Sequence, residues 1–318
     1  MLAPQGCAAT LPPRPPSNFT RAQAAPPSAI GYLESMKRVC FYHAGCPDGF
    51  GAVWSVRRSW GTEGRYIPRS HDDPLPLEEL EDALVVFVDI AVDNKSLLEL
   101  ASVASHIIVL DHHVSAQLRY SSDLSTVNAI EAAGHEIQFD LDHSGAVLSW
   151  HYFHPGEPPP PLLEYVEDQD LWNWKLVGSE EINATIASYP RDFETWDALA
   201  QRSPEELMRE GEPIVRANRI EVKRAIANPQ TLFVAEHRVE AVNATVNRSA
   251  IGHELAKRQT FDRAWGCVYR VSGTQVHATL YSIGDLDVST IATELGGGGH
   301  RNAAGFTVPL DMWLEKFN

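Results

Sequence analysis

Cysteine is scarce. The 318-residue chain has four, Cys7, Cys40, Cys46 and Cys267, and no two form a CxxC pair. This excludes a disulfide framework and a structural zinc site of the usual spacing, and it fits a reducing compartment. No apolar run approaches the roughly 20 residues of a membrane-spanning helix, so no membrane partner is expected. Basic residues are also short: 26 Lys and Arg against 42 Asp and Glu leave a net charge of −16. A broad basic surface for gripping long DNA or RNA is excluded by that balance. A small anionic substrate is not, because bound cations or a local basic pocket reverse the sign at a site. No Gly-Lys-Ser/Thr follows a glycine run, so there is no Walker phosphate loop. Internal repeats are absent. The Asn-x-Ser/Thr sequons at Asn18, Asn183, Asn243 and Asn247 follow no secretory apolar segment and read as chance.

What is present begins after a tail. Residues 1–35 are rich in Pro, Ala and Ser and have no acid before Glu34. Such a stretch supplies no core and is expected to be a disordered or targeting tail. Arg14 and Arg21 without acids leave an organelle transit peptide open, while the prolines argue against an amphipathic helix. Translation from Met36 is a further option, and a cytoplasmic location is the expectation.

From Lys37 the pattern is regular. "RVCFYH", "ALVVFVD" and "HIIVLDHH" read as buried strands, alternating with helical "GFGAVWSVRRSW" and "SLLELASVA". That alternation predicts an α/β domain over residues 36–190, with a parallel sheet covered on both faces. "HSGAVLSWHYF" is a further helix, starting near Ser144, with Asp140 and Asp142 as candidate caps. Residues 191–230 read as a helical connector. Residues 231–318 then change character: "TLFVAEHRVEAVNA", "AWGCVYRV" and "QVHATLYS" look like antiparallel strands, and "DVSTIATEL" is a helix capped by Asp287 and stopped at Gly296. The expected architecture is a parallel-sheet N-terminal domain and a smaller α+β C-terminal domain, with a cleft between.

The three strands end on chemistry. The first delivers His43 with Cys46 and Asp48 just beyond, the second Asp89, and the third Asp111, His112 and His113; Asp168 and Asp170 follow later. In an open parallel sheet the ligand site lies beyond the carboxyl ends of the strands. Any one of these aspartates alone reads as a turn or helix cap, and Asp72 and Asp73 read as loop acids. Repetition at three successive strand ends does not. So many carboxylates cannot all ionise together without a partner, and few Lys or Arg are near in sequence. Oxygen ligands with a few imidazoles suit manganese or magnesium, and two such ions sharing a carboxylate are suited to phosphoester hydrolysis. A second motif, "GGGGHRNAAGF" from Gly296, exposes backbone N–H groups at Gly297, Gly298 and Gly299, with His300 and Arg301 as further donors, as an anion-binding nest.

"LDHH" followed about 185 residues later by "GGGGHRNAAG" resembles the DHH phosphoesterase family, in its branch with a glycine-rich DHH-associated C-terminal domain. RecJ-type exonucleases and nanoRNA-degrading oligoribonucleases belong to it. The resemblance implies two Mn2+ ions, or Mg2+ or another divalent metal. It implies His43, Asp48, Asp89, His112 and Asp168 as ligands, with Asp170 close in role and Asp89 bridging. Asp111 would hold the His112 imidazole, His113 would face the scissile phosphate, and the glycine-rich segment would take a terminal nucleotide or phosphate. Two departures stand out. Cys46 occupies a place where an aspartate is usual, either as a thiolate ligand or as a small apolar residue. Tyr281 stands where relatives often carry an arginine, and is expected to stack a base.

The function expected is a metal-dependent phosphoesterase cleaving phosphodiester bonds of short oligonucleotides or linear dinucleotides through a metal-activated water. Alternatives are a phosphomonoesterase on a bisphosphonucleotide, a cyclic-dinucleotide phosphodiesterase, or a catalytically weak nucleotide-binding protein. A short nucleic acid or nucleotide is the expected partner; no protein partner follows from the sequence, and a homodimer is left open.

Overall fold

The computed structural model describes residues 36–70 and 73–317; the tail expected over residues 1–35, and Asp72, lie outside them. The first half runs β1 (Arg38–His43), α1 (Pro47–Trp60), β2 (Gly64–Arg69), β3 (Leu84–Val88), α2 (Asn94–Ala101), β4 (His106–Asp111), α3 (Val114–Ser121), α4 (Leu124–Ala132), β5 (Glu136–Phe139), α5 (Gly145–Phe153), α6 (Pro161–Asp170) and α7 (Ser179–Ser188). Its strands form one parallel sheet in the order β2-β1-β3-β4-β5.

The three strands legible in the sequence are central because both of their faces are apolar. Cys40, Val86, Val88, Ile108 and Leu110 point to one side, into a core with Val53, Trp54, Leu148 and Leu163. Their neighbours Val39, Phe41, Val85, Phe87, Ile107 and Val109 point to the other, against Leu97, Leu100, Tyr120 and Ile130. Strand side chains alternate, so the same residues build two cores. β2 carries Pro68 and β5 has four residues, which confines both to the sheet edges.

The connector expected over 191–230 comprises α8 (Phe193–Leu199) and α9 (Pro204–Ala225). It is no free linker. Trp196, Leu199 and Leu207 are buried in the first core, whereas Val222, near the other end of α9, packs with Val242, Ile251 and Tyr281 of the second lobe. A Ser203–Glu206 capping box fixes the start of this strut.

The second lobe contains β6 (Gln230–Val234), β7 (His237–Asn243), α10 (Arg248–Arg258), β8 (Trp265–Ser272), β9 (Gln275–Ser282), α11 (Val288–Glu294), β10 (Gly298–His300), β11 (Ala303–Pro309) and α12 (Leu310–Lys316). The sheet order is β10-β11-β9-β8-β7-β6. One expectation is corrected here: β7 and β8 pair in parallel. The cause is α10, which the sequence reading did not place and which carries the chain back across the sheet, as a parallel crossover needs. Asp287 does cap α11, accepting from Ser289 N–H. No helix among the described residues is long and apolar enough to cross a membrane.

Candidate metal centre

Asp89 sits one residue beyond β3 with a φ of 58°, a left-handed backbone that costs a non-glycine residue energy and that the surrounding fold must enforce. That turn points its carboxylate, 1% exposed, into the middle of the strand ends. Oδ1 lies 3.0 Å from His112 Nε2, and Oδ2 lies 3.3 Å from His43 Nδ1 and 3.5 Å from Cys46 Sγ. Two ligand groups flank it: His43, Cys46 and Asp89 on one side, and Asp48, His112 and Asp170 on the other, each with donor atoms within 4.8 Å of one another.

Each flank has a local cause. Cys46 is the N-cap of α1, its sulfur accepting from Gly49 N–H at 3.2 Å. Asp48 then lies in the first turn and meets the start of α5, where Oδ2 accepts from Gly145 N–H at 2.8 Å and Oδ1 from Ala146 N–H at 3.0 Å. Two orphan donors of a helix N-terminus thus fix a buried carboxylate. Ser144, not Asp140 or Asp142, caps α5; Asp140 accepts from Asp142 N–H instead. Asp73 accepts from Ser70 N–H, as a loop acid.

His112 Nε2 faces three carboxylates, with Asp48 at 3.3 Å and Asp170 at 3.6 Å beside Asp89. Burial, followed by the charge of Asp48, pushes Asp170 up to about 7. Burial and Asp89 likewise raise Asp48. Asp89 goes the other way: burial opposes its charge, but hydrogen bonds from His112 and His43 bring it well below the usual range. Against the penalty of burial, the facing carboxylates raise both His112 and His113. Burial, and then Asp89 and Asp48, push the Cys46 thiol up, so without a bound cation it is a neutral thiol rather than a thiolate.

The donors fit divalent cations. Asp170 Oδ2 and Asp111 Oδ2 are buried with no hydrogen-bond partner, which an interior does not normally tolerate, and the set is carboxylate and imidazole apart from one sulfur.

Several sequence assignments change. Asp168 is not in the cluster: its oxygens accept from Lys175 N–H at 2.9 Å and Leu176 N–H at 3.2 Å, closing the loop after α6. Residues two apart on a helix point to different sides, so only one of Asp168 and Asp170 can face the centre, and it is Asp170. Asp111 orients His113 rather than the His112 ring, through a 2.7 Å contact from Oδ1 to His113 Nδ1, and the same oxygen accepts the backbone N–H groups of His112 and His113.

The glycine-rich segment is not an open nest. Gly298–His300 is a strand paired with β11, and a side chain on Gly297 would collide with Gly305 O. Gly299 N–H donates to Ser115 Oγ of the first lobe at 3.2 Å. The strand thereby places His300 over the centre, its ring stacked on His113 at 4.6 Å and 4.8 Å from His112. Burial, then the charges of His113 and His112, keep His300 well below its ordinary range. Arg301 turns outward, donating to Asp285 O at 2.8 Å. Tyr281 is 5% exposed and packs where Gly252 has no side chain, so its ring is not offered to a base.

Gly145 and Ser115 escaped the sequence reading, although the Ser-Gly start of α5 was a usable signal. So did Trp172, which stacks on His253 across the two lobes at 3.5 Å.

The description "DHHA1 domain" matches residues 232–318. The chain is 27% identical over 301 residues to an uncharacterized protein, R106, of Acanthamoeba polyphaga mimivirus, covering 88% of this chain and 69% of that protein. Among solved structures, it is similar to a pGpG-specific phosphodiesterase, PggH, from Vibrio cholerae (10% identity, TM-score 0.38, 88% of this chain and 96% of that one). Another is an exopolyphosphatase-related protein from Bacteroides fragilis (12% identity, TM-score 0.41, 88% and 89%).

Proposed function

We propose that this chain, whose residues 232–318 match the DHHA1 domain, is a phosphoesterase of the DHH type, a manganese-dependent phosphodiesterase of short oligonucleotides or linear dinucleotides. The observation that carries this reading is Asp89, whose two oxygens face two separate ligand groups. His43, Cys46, Asp48, Asp89, His112 and Asp170 would hold the cations. Two divalent ions there supply the charge that activates a water and stabilises phosphoryl oxygens.

The chain's own residues do the rest. Asp111 fixes His113 with Nδ1 toward its carboxylate at 2.7 Å and favours the imidazolium, so His113 presents a positive charge to a phosphate oxygen and can hand a proton to the leaving oxygen. His300, brought over the centre by the second lobe, stacks on the His113 ring and closes one side of the site. The net charge of −16 favours short substrates over long strands.

The test is a panel in manganese: di- and trinucleotides, a longer single strand, cyclic dinucleotides and a 3′,5′-bisphosphonucleotide, with products resolved by chromatography. Mononucleotides released from the short oligomers ahead of every other substrate are the expected result. Preferential loss of one phosphate from the bisphosphonucleotide would replace the reading with a phosphomonoesterase. No turnover in manganese or another divalent metal would leave a nucleotide-binding protein.

A further inference from the structure

The two ligand groups that flank Asp89 differ in chemistry. Asp48 and Asp170 bring only oxygens to His112, whereas His43 is joined by the sulfur of Cys46. An aspartate is usual at that position in the family the sequence resembles, so the sulfur is a property of this chain. Cys40 and Cys267 are buried in the cores of the two lobes, which leaves Cys46 as the one thiol at the centre among the described residues.

Geometry separates a ligating sulfur from a filler of space. Cys46 Sγ lies 3.5 Å from His43 Nδ1 and 3.5 Å from Asp89 Oδ2, and those two atoms are 3.3 Å apart. The last distance is long for a hydrogen bond between nitrogen and oxygen. A tetrahedral ion with bonds of about 2.3 Å to sulfur and about 2.0–2.1 Å to nitrogen and oxygen sets those edges itself. It holds sulfur about 3.5 Å from the other donors, and nitrogen about 3.3 Å from oxygen. The triangle already has these dimensions. An octahedral ion at about 2.1 Å would draw neighbouring donors to about 3.0 Å. On the other side, His112 Nε2 lies 3.0, 3.3 and 3.6 Å from Asp89, Asp48 and Asp170. That looser, oxygen-rich set suits manganese or magnesium. Cys46 also caps α1 by accepting from Gly49 N–H at 3.2 Å, but Asp, Asn or Ser caps a helix better, so capping does not explain a cysteine. The cap aims the sulfur at the centre from the positive end of a 14-residue helix, which favours an anionic ligand.

We propose that Cys46 makes the centre asymmetric: the His43–Cys46–Asp89 half selects a thiophilic divalent cation, with zinc as the type, and the Asp48–His112–Asp170 half keeps manganese. On binding, the sulfur–hydrogen bond gives way to a sulfur–metal bond and the proton leaves to solvent. With manganese as the sole metal both halves fill; a thiophilic ion offered beside it enters the sulfur half first. The inference rests on the metal-centre reading above and names the cation class that each half prefers.

Metal spectroscopy tests this without turnover. The full chain, stripped with chelator, is titrated with cobalt as a stand-in for zinc. A thiolate-to-cobalt charge-transfer band should grow in the near ultraviolet and saturate at one ion per chain, and Cys46→Asp should bind cobalt without it. The manganese-loaded chain is then titrated with cadmium, and released manganese is followed by electron paramagnetic resonance. Cys46→Asp should lower the preference for cadmium over manganese by about tenfold or more. Cobalt bound without the band, a band that persists in Cys46→Asp, or an unchanged cadmium preference overturns the inference and leaves the phosphodiesterase reading standing. The band in a chain that turns over none of the panel substrates supports the inference and removes the phosphodiesterase. A chain that binds no cobalt overturns both. Should Cys46→Asp not fold, Cys46→Ser is held to the same criteria.

Discussion

Asp89→Asn is expected to lower kcat by about 10³-fold or more while leaving the fold intact. Removing one preorganised electrostatic element commonly costs 10²–10³, and this carboxylate faces both ligand groups. Asparagine suits the position sterically and tolerates the left-handed backbone that Asp89 adopts. Alanine does not, so Asp89→Ala combines the lost charge with backbone strain. Steady-state turnover on the best substrate of the panel, with circular dichroism as the folding control, reads the effect. An Asp89→Asn enzyme within tenfold of the unaltered one would remove Asp89 from the centre of the mechanism.

The second large effect is expected at a residue with no side chain. A Cβ on Gly145 would lie 2.5 Å from Asp89 Cβ and 2.9 Å from Asp48 Oδ2. Neither neighbour can yield. Asp89 is held by its backbone, and α5 is pinned by buried Ala146, Val147, Leu148 and Trp150. Alanine is the better helix former by up to about 1 kcal/mol, but overpacking costs about 1–3 kcal/mol, so the steric effect wins. Gly145→Ala should fold with a Tm a few degrees lower. Its turnover should fall about 100-fold, because displacement of catalytic groups by about 1 Å is enough for that. A thermal melt and a rate suffice, and turnover within threefold of the unaltered enzyme would mean that the contact between α5 and the centre is not needed.

The contrast between these two residues shows what the sequence could reveal. Asp89 was legible because it ends a run of apolar residues that has no packing reason to stop on an acid. His43 and the Asp111–His113 triplet were legible for the same reason, and their strands because both faces are buried. Gly145 depends on what approaches it from another element, which no local pattern records.

Phase errors account for Asp168 and Asp111. At the end of α6 two aspartates two residues apart are equivalent in sequence, and only the helix rotation gives the centre to Asp170. Asp111 ends its strand with two histidines within reach, and backbone geometry decides that its carboxylate meets the second ring. Tyr281 and α10 form one linked miss. Gly252 weakens the helical pattern of α10, yet the missing side chain is what admits the Tyr281 ring. A residue expected to stack on substrate is instead part of the packing that holds α10 against the sheet.

The central claim is that Asp89 joins two cation sites, and the most direct measurement is a count of bound manganese. The purified chain would be stripped with chelator, titrated with manganese and followed by electron paramagnetic resonance, with total metal checked by elemental analysis. The account predicts two manganese ions per chain with the signature of a coupled pair, and loss of that coupling in Asp89→Asn. A single uncoupled ion, or a coupled pair that persists in Asp89→Asn, would contradict it.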